Sequence, residues 1–347
     1  MAEKKENSFE ILKELVNTPG VSGDESAVRN VIIKHIKPYC KDYKVDKLGN
    51  LIVHKPGKGP RVMLAAHMDE IGLIAKRIDD KGRIFCSEIG GFEIVSIIGQ
   101  LVYIKTNKGN LIRGVVTVAD VSDDVAVKKV PHIDDLIVDT GLSTNELKKK
   151  GIDVGSYISI GRRYHTLGNE DCISGKALDD RIGCFILIEL IKRLKNAKSD
   201  IYFVFTVQEE IGLYGAKTST YQIDPEWAIA VDVTNADDMV EGHTKSLGEG
   251  PYITLKDSDM VTNKCLDDWI KESAKKRKIN LQLEVTDVGV TDALTISLSK
   301  GGVPVAIIGV PVRNMHTAVG IAHKRDIEQT IELIEELLKD PPEVCVI

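Results

Sequence analysis

The chain has 347 residues, 43% of them hydrophobic, with 46 Lys and Arg against 52 Asp and Glu for a formal charge of −6. That length can bury a large core as two domains, or as one domain carrying an insertion, and the acidic balance of interspersed charges argues against nucleic acid or an anionic membrane as partner. No run approaches the roughly 18 apolar residues of a membrane helix and the opening MAEKKENS lacks a signal-peptide core, so a cytoplasmic protein with no membrane partner is expected.

Asn7 and Glu10 have capping-box spacing, and Phe9, Leu12, Leu15 and Val16 recur at helical intervals, predicting a first helix that ends before TPGVSGDE. Val28, Val31, Ile32 and Ile36 mark a second helix, followed by short strands around LGNLIVHK and the buried strand RVMLAAH at 61–67. From about residue 73 to 163 the texture changes to β-type runs, GRIFCSEI, QLVYIKT, NLIRGVVTV and SYISI, with one helical stretch, STNELKKKG. Beyond it, long helical patterns alternate with apolar strands: RIGCFILIELIKRLK, IYFVFTV, WAIAVDV, KCLDDWIKESAKK, LQLEV, VPVAIIGV and KRDIEQTIELIEELLK. The pattern predicts an α/β fold, a sheet with helices on both faces built from residues 1–72 and 164–347, interrupted by a small β-rich domain at 73–163. The six cysteines are far apart with no CxxC pair, which predicts reduced, buried thiols.

In open α/β sheets, functional groups collect beyond the carboxyl ends of the strands. RVMLAAH ends in His67 with Asp69 beyond it, IYFVFTV leads to Glu209 and Glu210, WAIAVDV carries Asp232, and VPVAIIGV runs on to His316. Asp179 and Asp180 stand just before a long helix, where one aspartate reads as a cap but two ask for more. Taken singly, each of these reads as a solvated loop acid or a packed histidine; their coincidence at strand ends points to a site. His67, Asp179, Glu210, Asp232 and His316 are too few for two separate three-ligand metal sites, yet enough for two divalent ions sharing one carboxylate. A nitrogen and oxygen donor set without thiolate suits zinc, cobalt or manganese. Asp69, two residues beyond His67, can orient its ring. Adjacent Glu209 and Glu210 can both face one site only if the backbone turns, which Gly212 allows; one then binds metal and the other acts as general base.

The motifs AAHMDEIG, SGKALDDRIGC, VQEEIGLYGA, IAVDVT, GVTDA and RNMHT, in this order, resemble the tetrahedral aminopeptidases, dinuclear metallopeptidases that include glutamyl and deblocking aminopeptidases and some members labelled endoglucanase. The resemblance covers essentially the whole chain. It implies a phosphorylase/hydrolase-like mixed-sheet catalytic domain interrupted by a small β-barrel used in dimer contacts, with dimers assembling into a dodecamer. It implies His67 and Asp232 on one metal, Glu210 and His316 on the other, Asp179 as the ligand bridging them, a cis peptide between Asp179 and Asp180, Asp69 orienting His67, and Glu209 as the catalytic base. Val290, Ala318 and Gly320 depart from the family pattern without removing a ligand; they bear on the pocket near His316.

The function that follows is a metal-dependent aminopeptidase that removes N-terminal residues from short peptides, using two zinc or cobalt ions per subunit and a metal-activated water. A dinuclear deacylase or amidase is the alternative; a glucanase, which needs paired carboxyls and no metal, is disfavoured. His35, His54, His132, His165 and His323 match no ligand position, His243 is placed to line the pocket, and Glu70 reads as the first solvated residue on the way into the insertion.

Overall fold

The computed structural model describes residues 2–118, 130–195, 197–241, 244–339 and 341–342, which leaves His243 outside the described residues. Helices α1 (Ala2–Asn17) and α2 (Ser26–Ile36) precede strands β1 (Tyr43–Val45), β2 (Leu51–Lys55) and β3 (Arg61–His67). α1 starts five residues before the cap expected at Asn7, because AEKKE is made of helix formers that extend it backward. α2 buries Val28, Ile32 and Ile36, a stripe at four-residue spacing.

The chain then forms β4 (Gly72–Ile78), β5 (Ile84–Ile89), α3 (Ile94–Ile97), β6 (Leu101–Lys105), β7 (Leu111–Val118), β8 (Leu136–Asp139), α4 (Thr144–Lys150) and β9 (Tyr157–Ile160). Six of these strands close into an antiparallel barrel in the order β4-β5-β8-β7-β6-β9. Its interior takes alternate residues, Leu73 and Ala75, Ile84 and Cys86, Val102 and Ile104, Ile158 and Ile160, as a period of two requires. Sequence patterning passed over β4, β8 and α3, whose apolar runs are short or broken by charge.

Back in the α/β layer come β10 (His165–Thr166), β11 (Cys172–Gly175), α5 (Leu178–Arg193), β12 (Asp200–Thr206), α6 (Tyr214–Ile223), β13 (Trp227–Asn235), β14 (Tyr252–Lys256), α7 (Lys264–Arg277), β15 (Gln282–Val285), α8 (Asp292–Ser297), β16 (Val305–Arg313), β17 (Gly320–His323) and α9 (Lys324–Leu337). The 11-stranded sheet runs β1-β2-β12-β3-β13-β16-β17-β11-β10, with β14 and β15 branching from β16. Strand β3 shows why its sequence is apolar at every position from Val62 to Ala66. Val62, Leu64 and Ala66 enter a core with α1, α2, α5, α7 and α9, while Met63 and Ala65 enter a second core with α6 and α8. The sheet is therefore covered on both faces, as expected of its continuous apolar strands.

One smaller expectation is corrected. Cys40, Cys86, Cys172 and Cys184 are free, but Cys265 is disulfide-bonded; pairing depends on proximity in the fold, which sequence spacing does not reveal. Among the described residues no helix is long and apolar enough to cross a membrane.

His54, on β2, bridges two carboxylates, Nδ1 at 2.8 Å from Asp42 and Nε2 at 2.6 Å from Asp200, and stacks on Tyr202. Partial burial alone would lower its pKa, but the hydrogen bonds and charges of Asp200 and Asp42 outweigh it and hold the imidazole above its ordinary value. The folded chain thus holds this proton more tightly than the unfolded chain. The resulting stabilisation is complete below the ordinary pKa of about 6.5 and is lost as pH rises through the raised value. In thermal unfolding, the advantage of the wild type over His54→Asn should shrink as pH rises from about 6.5 through the raised value; a constant difference would refute the coupling.

Candidate metal centre

Strands β12, β3, β13 and β16 run parallel, so their carboxyl ends share one edge of the sheet. His67 ends β3 opposite Thr206, the last residue of β12, and Asp232 in β13 lies opposite Gly309 of β16. Past Thr206 the backbone turns through left-handed Gln208 (φ 54°), so Glu209 and Glu210 leave strand geometry before they reach the site. The turn expected at Gly212 therefore begins four residues earlier. Beyond β16, Asn314 (φ 58°) and His316 (φ 57°) are also left-handed and fold the chain back along the sheet edge.

The two aspartates divide the work that the sequence left undivided. Asp179 and Asp180 lie in the first turn of α5 with non-helical backbone, joined by a cis peptide bond. Asp180 is wholly buried and accepts the Gly183 N–H at 2.8 Å, which makes it the cap of the regular helix. Asp179 faces the strand ends. Its Oδ1 lies 2.9 Å from His67 Nε2 and its Oδ2 lies 3.5 Å from His316 Nε2. Asp232 Oδ1 is 3.9 Å from His67 Nε2, and Glu210 Oε2 is 3.9 Å from His316 Nε2.

Two donor groups result, His67–Asp179–Asp232 and Asp179–Glu210–His316, each with its ligand atoms within 4.8 Å of one another. Asp179 belongs to both. The electrostatics fit cations: burial, reinforced by the charge of Asp179, pushes the Asp232 carboxyl up to about 8. Burial also holds Glu209 and Glu210 well above the carboxylate range; the His67 charge opposes it, while neighbouring carboxylates push the same way. Burial would lower the His67 pKa, but Glu209, Asp179 and Asp69 raise it well above normal, which shows how strongly the surrounding carboxylates favour a positive charge there. The nitrogen and oxygen donors, crowded and mutually repelling, suit divalent ions.

Asp69 lies where the sequence placed it, 3.6 Å from His67 Nδ1, a buried nitrogen without another partner. It also does something no spacing suggested. Its two oxygens accept the backbone N–H groups of Glu209 (3.1 Å) and Glu210 (3.2 Å), and one also accepts the Ser22 hydroxyl at 2.7 Å. One buried carboxylate thus fixes the backbone of the EE turn as well as facing the histidine. Sequence reading also passed over Asp292 of GVTDA. It is buried, accepts the Thr206 hydroxyl at 2.6 Å, and is raised to about 6 by burial; its signal was a short acidic motif before a helix too brief to stand out.

Glu70 corrects an expectation. It is 2% exposed and bonded to Lys176, because the chain passes from sheet to barrel through the interior and not over the surface. The remaining histidines have local partners or none at the centre: His35 pairs with Glu14 at 2.8 Å, and His323 caps α9. The centre opens into a cavity of about 680 Å³ whose lining also includes Lys245, Glu284, Thr234, Thr254, Val290 and Met315. Ala318 turns away and packs in the barrel core.

This fold and this donor set define a class: the chain belongs to the M42 glutamyl aminopeptidase family, whose model matches residues 49–333. It is 35% identical to the lysyl aminopeptidase of Pyrococcus furiosus over 96% of this chain and 97% of that one. Its fold superimposes on the aminopeptidase APDkam598 from the archaeon Desulfurococcus kamchatkensis with a TM-score of 0.92, at 34% identity, covering 96% and 95% of the two chains. The Pyrococcus horikoshii TET1 peptidase, which can assemble into a tetrahedron or a large octahedral shell, matches with a TM-score of 0.88 and 33% identity over 95% and 99%. The protein is a metal-dependent aminopeptidase, a hydrolase of the M42 family.

Proposed function

We propose that His67, Asp179 and Asp232 hold one divalent ion and Asp179, Glu210 and His316 a second, zinc or cobalt, with Glu209 as general base in the release of N-terminal residues from short peptides. The observation that carries this reading is Asp179, whose two oxygens face the two histidines. Ions bound there would polarise the scissile carbonyl and acidify the attacking water. Glu209, with a carboxyl held well above its ordinary range by burial, accepts the water's proton and returns it to the leaving amine. Asp69 keeps that carboxylate in place by gripping its backbone N–H. The reaction on a blocked peptide tests the claim: the metal-loaded enzyme should cleave a free tripeptide and leave its N-acetylated form intact. Equal cleavage of both would overturn the aminopeptidase reading in favour of an amidase.

We further propose that the enzyme works as a homo-oligomer, with the barrel as the dimerisation domain and a tetrahedral dodecamer as the full assembly. Leu101 and Val115, opposed across β6 and β7, are 51% and 40% exposed, and Leu111 on the same pair is 43% exposed. These exposed apolar side chains on the outer barrel support a contact surface, and the TET1 peptidase provides the precedent for assembly.

A further inference from the structure

Nothing in the chemistry above uses Glu70 and Lys176, yet their side chains are only 2% and 4% exposed. The Lys176 ammonium lies 2.6 and 2.5 Å from the two Glu70 oxygens and 3.1 Å from the Ser159 hydroxyl, which donates to Glu70 at 3.0 Å. The Gly20 N–H donates to the same carboxylate at 2.8 Å. The Glu70 backbone is held too: its N–H donates to the Gly20 carbonyl at 3.0 Å and its carbonyl accepts from Ser22 at 3.2 Å. Arg181 Nη2 stands 3.9 Å away, and Arg181 Nη1 donates to the Leu15 and Thr18 carbonyls.

The positions of the partners give the pair its meaning. Glu70 follows Asp69 directly and ends the segment that begins at His67, Lys176 precedes Asp179 in the turn leading into α5, and Ser159 belongs to barrel strand β9. The pair therefore joins the two segments whose tips meet where His67 and Asp179 approach to 2.9 Å, and it adds the barrel as a third point of attachment. Apolar side chains would fill the same space without a preferred direction. What a buried, doubly contacted ion pair adds is registry, at a desolvation cost that packing alone would avoid.

We propose that Glu70 and Lys176 are positioning residues: an internal strut that sets the His67–Asp69 segment against the Asp179 segment and makes the metal-binding geometry depend on how the barrel is seated. The inference rests on the ligand assignment proposed above. It is tested on the full chain with Lys176→Met, the double variant Glu70→Leu/Lys176→Met, and Ser159→Ala, reading unfolding temperature, Co²⁺ affinity by chelator competition, and kcat and KM on an aminoacyl chromogenic substrate. Lys176→Met should weaken Co²⁺ binding about 10- to 100-fold and lower kcat with KM nearly unchanged, as loss of a supporting partner does. The double variant, which removes both charges of the pair and leaves Arg181 held by the Leu15 and Thr18 carbonyls, should recover part of the unfolding temperature lost in Lys176→Met without recovering Co²⁺ affinity. Ser159→Ala, the mildest change, should weaken Co²⁺ about fivefold, the equivalent of one hydrogen bond. Wild-type Co²⁺ affinity in the folded double variant, or in Ser159→Ala should Lys176→Met not fold, overturns the strut. If the wild type binds Co²⁺ but releases no N-terminal residue, the aminopeptidase mechanism fails instead, and the affinity comparison still decides the strut.

Discussion

Glu209→Gln is expected to retain its metal content and lose about 10³-fold in kcat, the size of a general acid–base contribution. The amide keeps the shape of the side chain, and the backbone N–H of residue 209 keeps its bond to Asp69, so the turn that also presents Glu210 stays in place. What disappears is a group that can take a proton. The charge change works in favour of folding, because the native carboxyl is held well above its ordinary pKa by burial and by Asp232, Asp292 and Glu210, against the single opposing charge of His67. Metal analysis alongside turnover makes the result unambiguous: full metal with activity within tenfold of wild type would remove Glu209 from the mechanism.

Asp179→Ala should have the broader effect. His67, Asp232, Glu210 and His316 each belong to one donor group, whereas Asp179 belongs to both. Its loss leaves His67 with Asp232 and His316 with Glu210, two ligands each where three are needed for a stable site. The variant should bind neither ion at micromolar concentration. Its activity should fall by on the order of 10³-fold or more, since metal polarisation is worth several kcal/mol in the transition state. His316→Ala, by contrast, should keep the ion held by His67, Asp179 and Asp232. Retention of two equivalents by Asp179→Ala, or loss of both by His316→Ala, would contradict the shared-ligand arrangement.

The parts of this molecule that were legible in its sequence are those written in continuous stretches. RVMLAAH, IYFVFTV, WAIAVDV and VPVAIIGV are apolar on both faces through their middles because alternate residues enter two different cores, and that same burial is why a histidine or acid at their ends is conspicuous. The five proposed ligands and Asp69 lie at one sheet edge: four of the ligands come at the ends of those runs, and Asp179 comes from the first turn of α5. What escaped notice depends on partners distant along the chain. Glu70 looked solvated because Lys176, its counterion, lies 106 residues further on. Asp69 looked like a simple orienting group because its backbone donors sit 140 and 141 residues away. The loop TPGVSGDE looked like a helix terminator, yet Gly20 and Ser22 within it hold Glu70 and Asp69.

The single carboxylate between the two histidines also limits how the enzyme can change. Any event that alters the hold on Asp179 from one side, whether a substitution at His316, a competing ion or a proton, is transmitted to His67 through the other oxygen. By thermodynamic reciprocity, the influence of the second side on the first is equal to that of the first on the second. Under the ligand assignment proposed above, the two halves of the centre are inherited as one unit: a mutation that suits one ion is tested by selection against both.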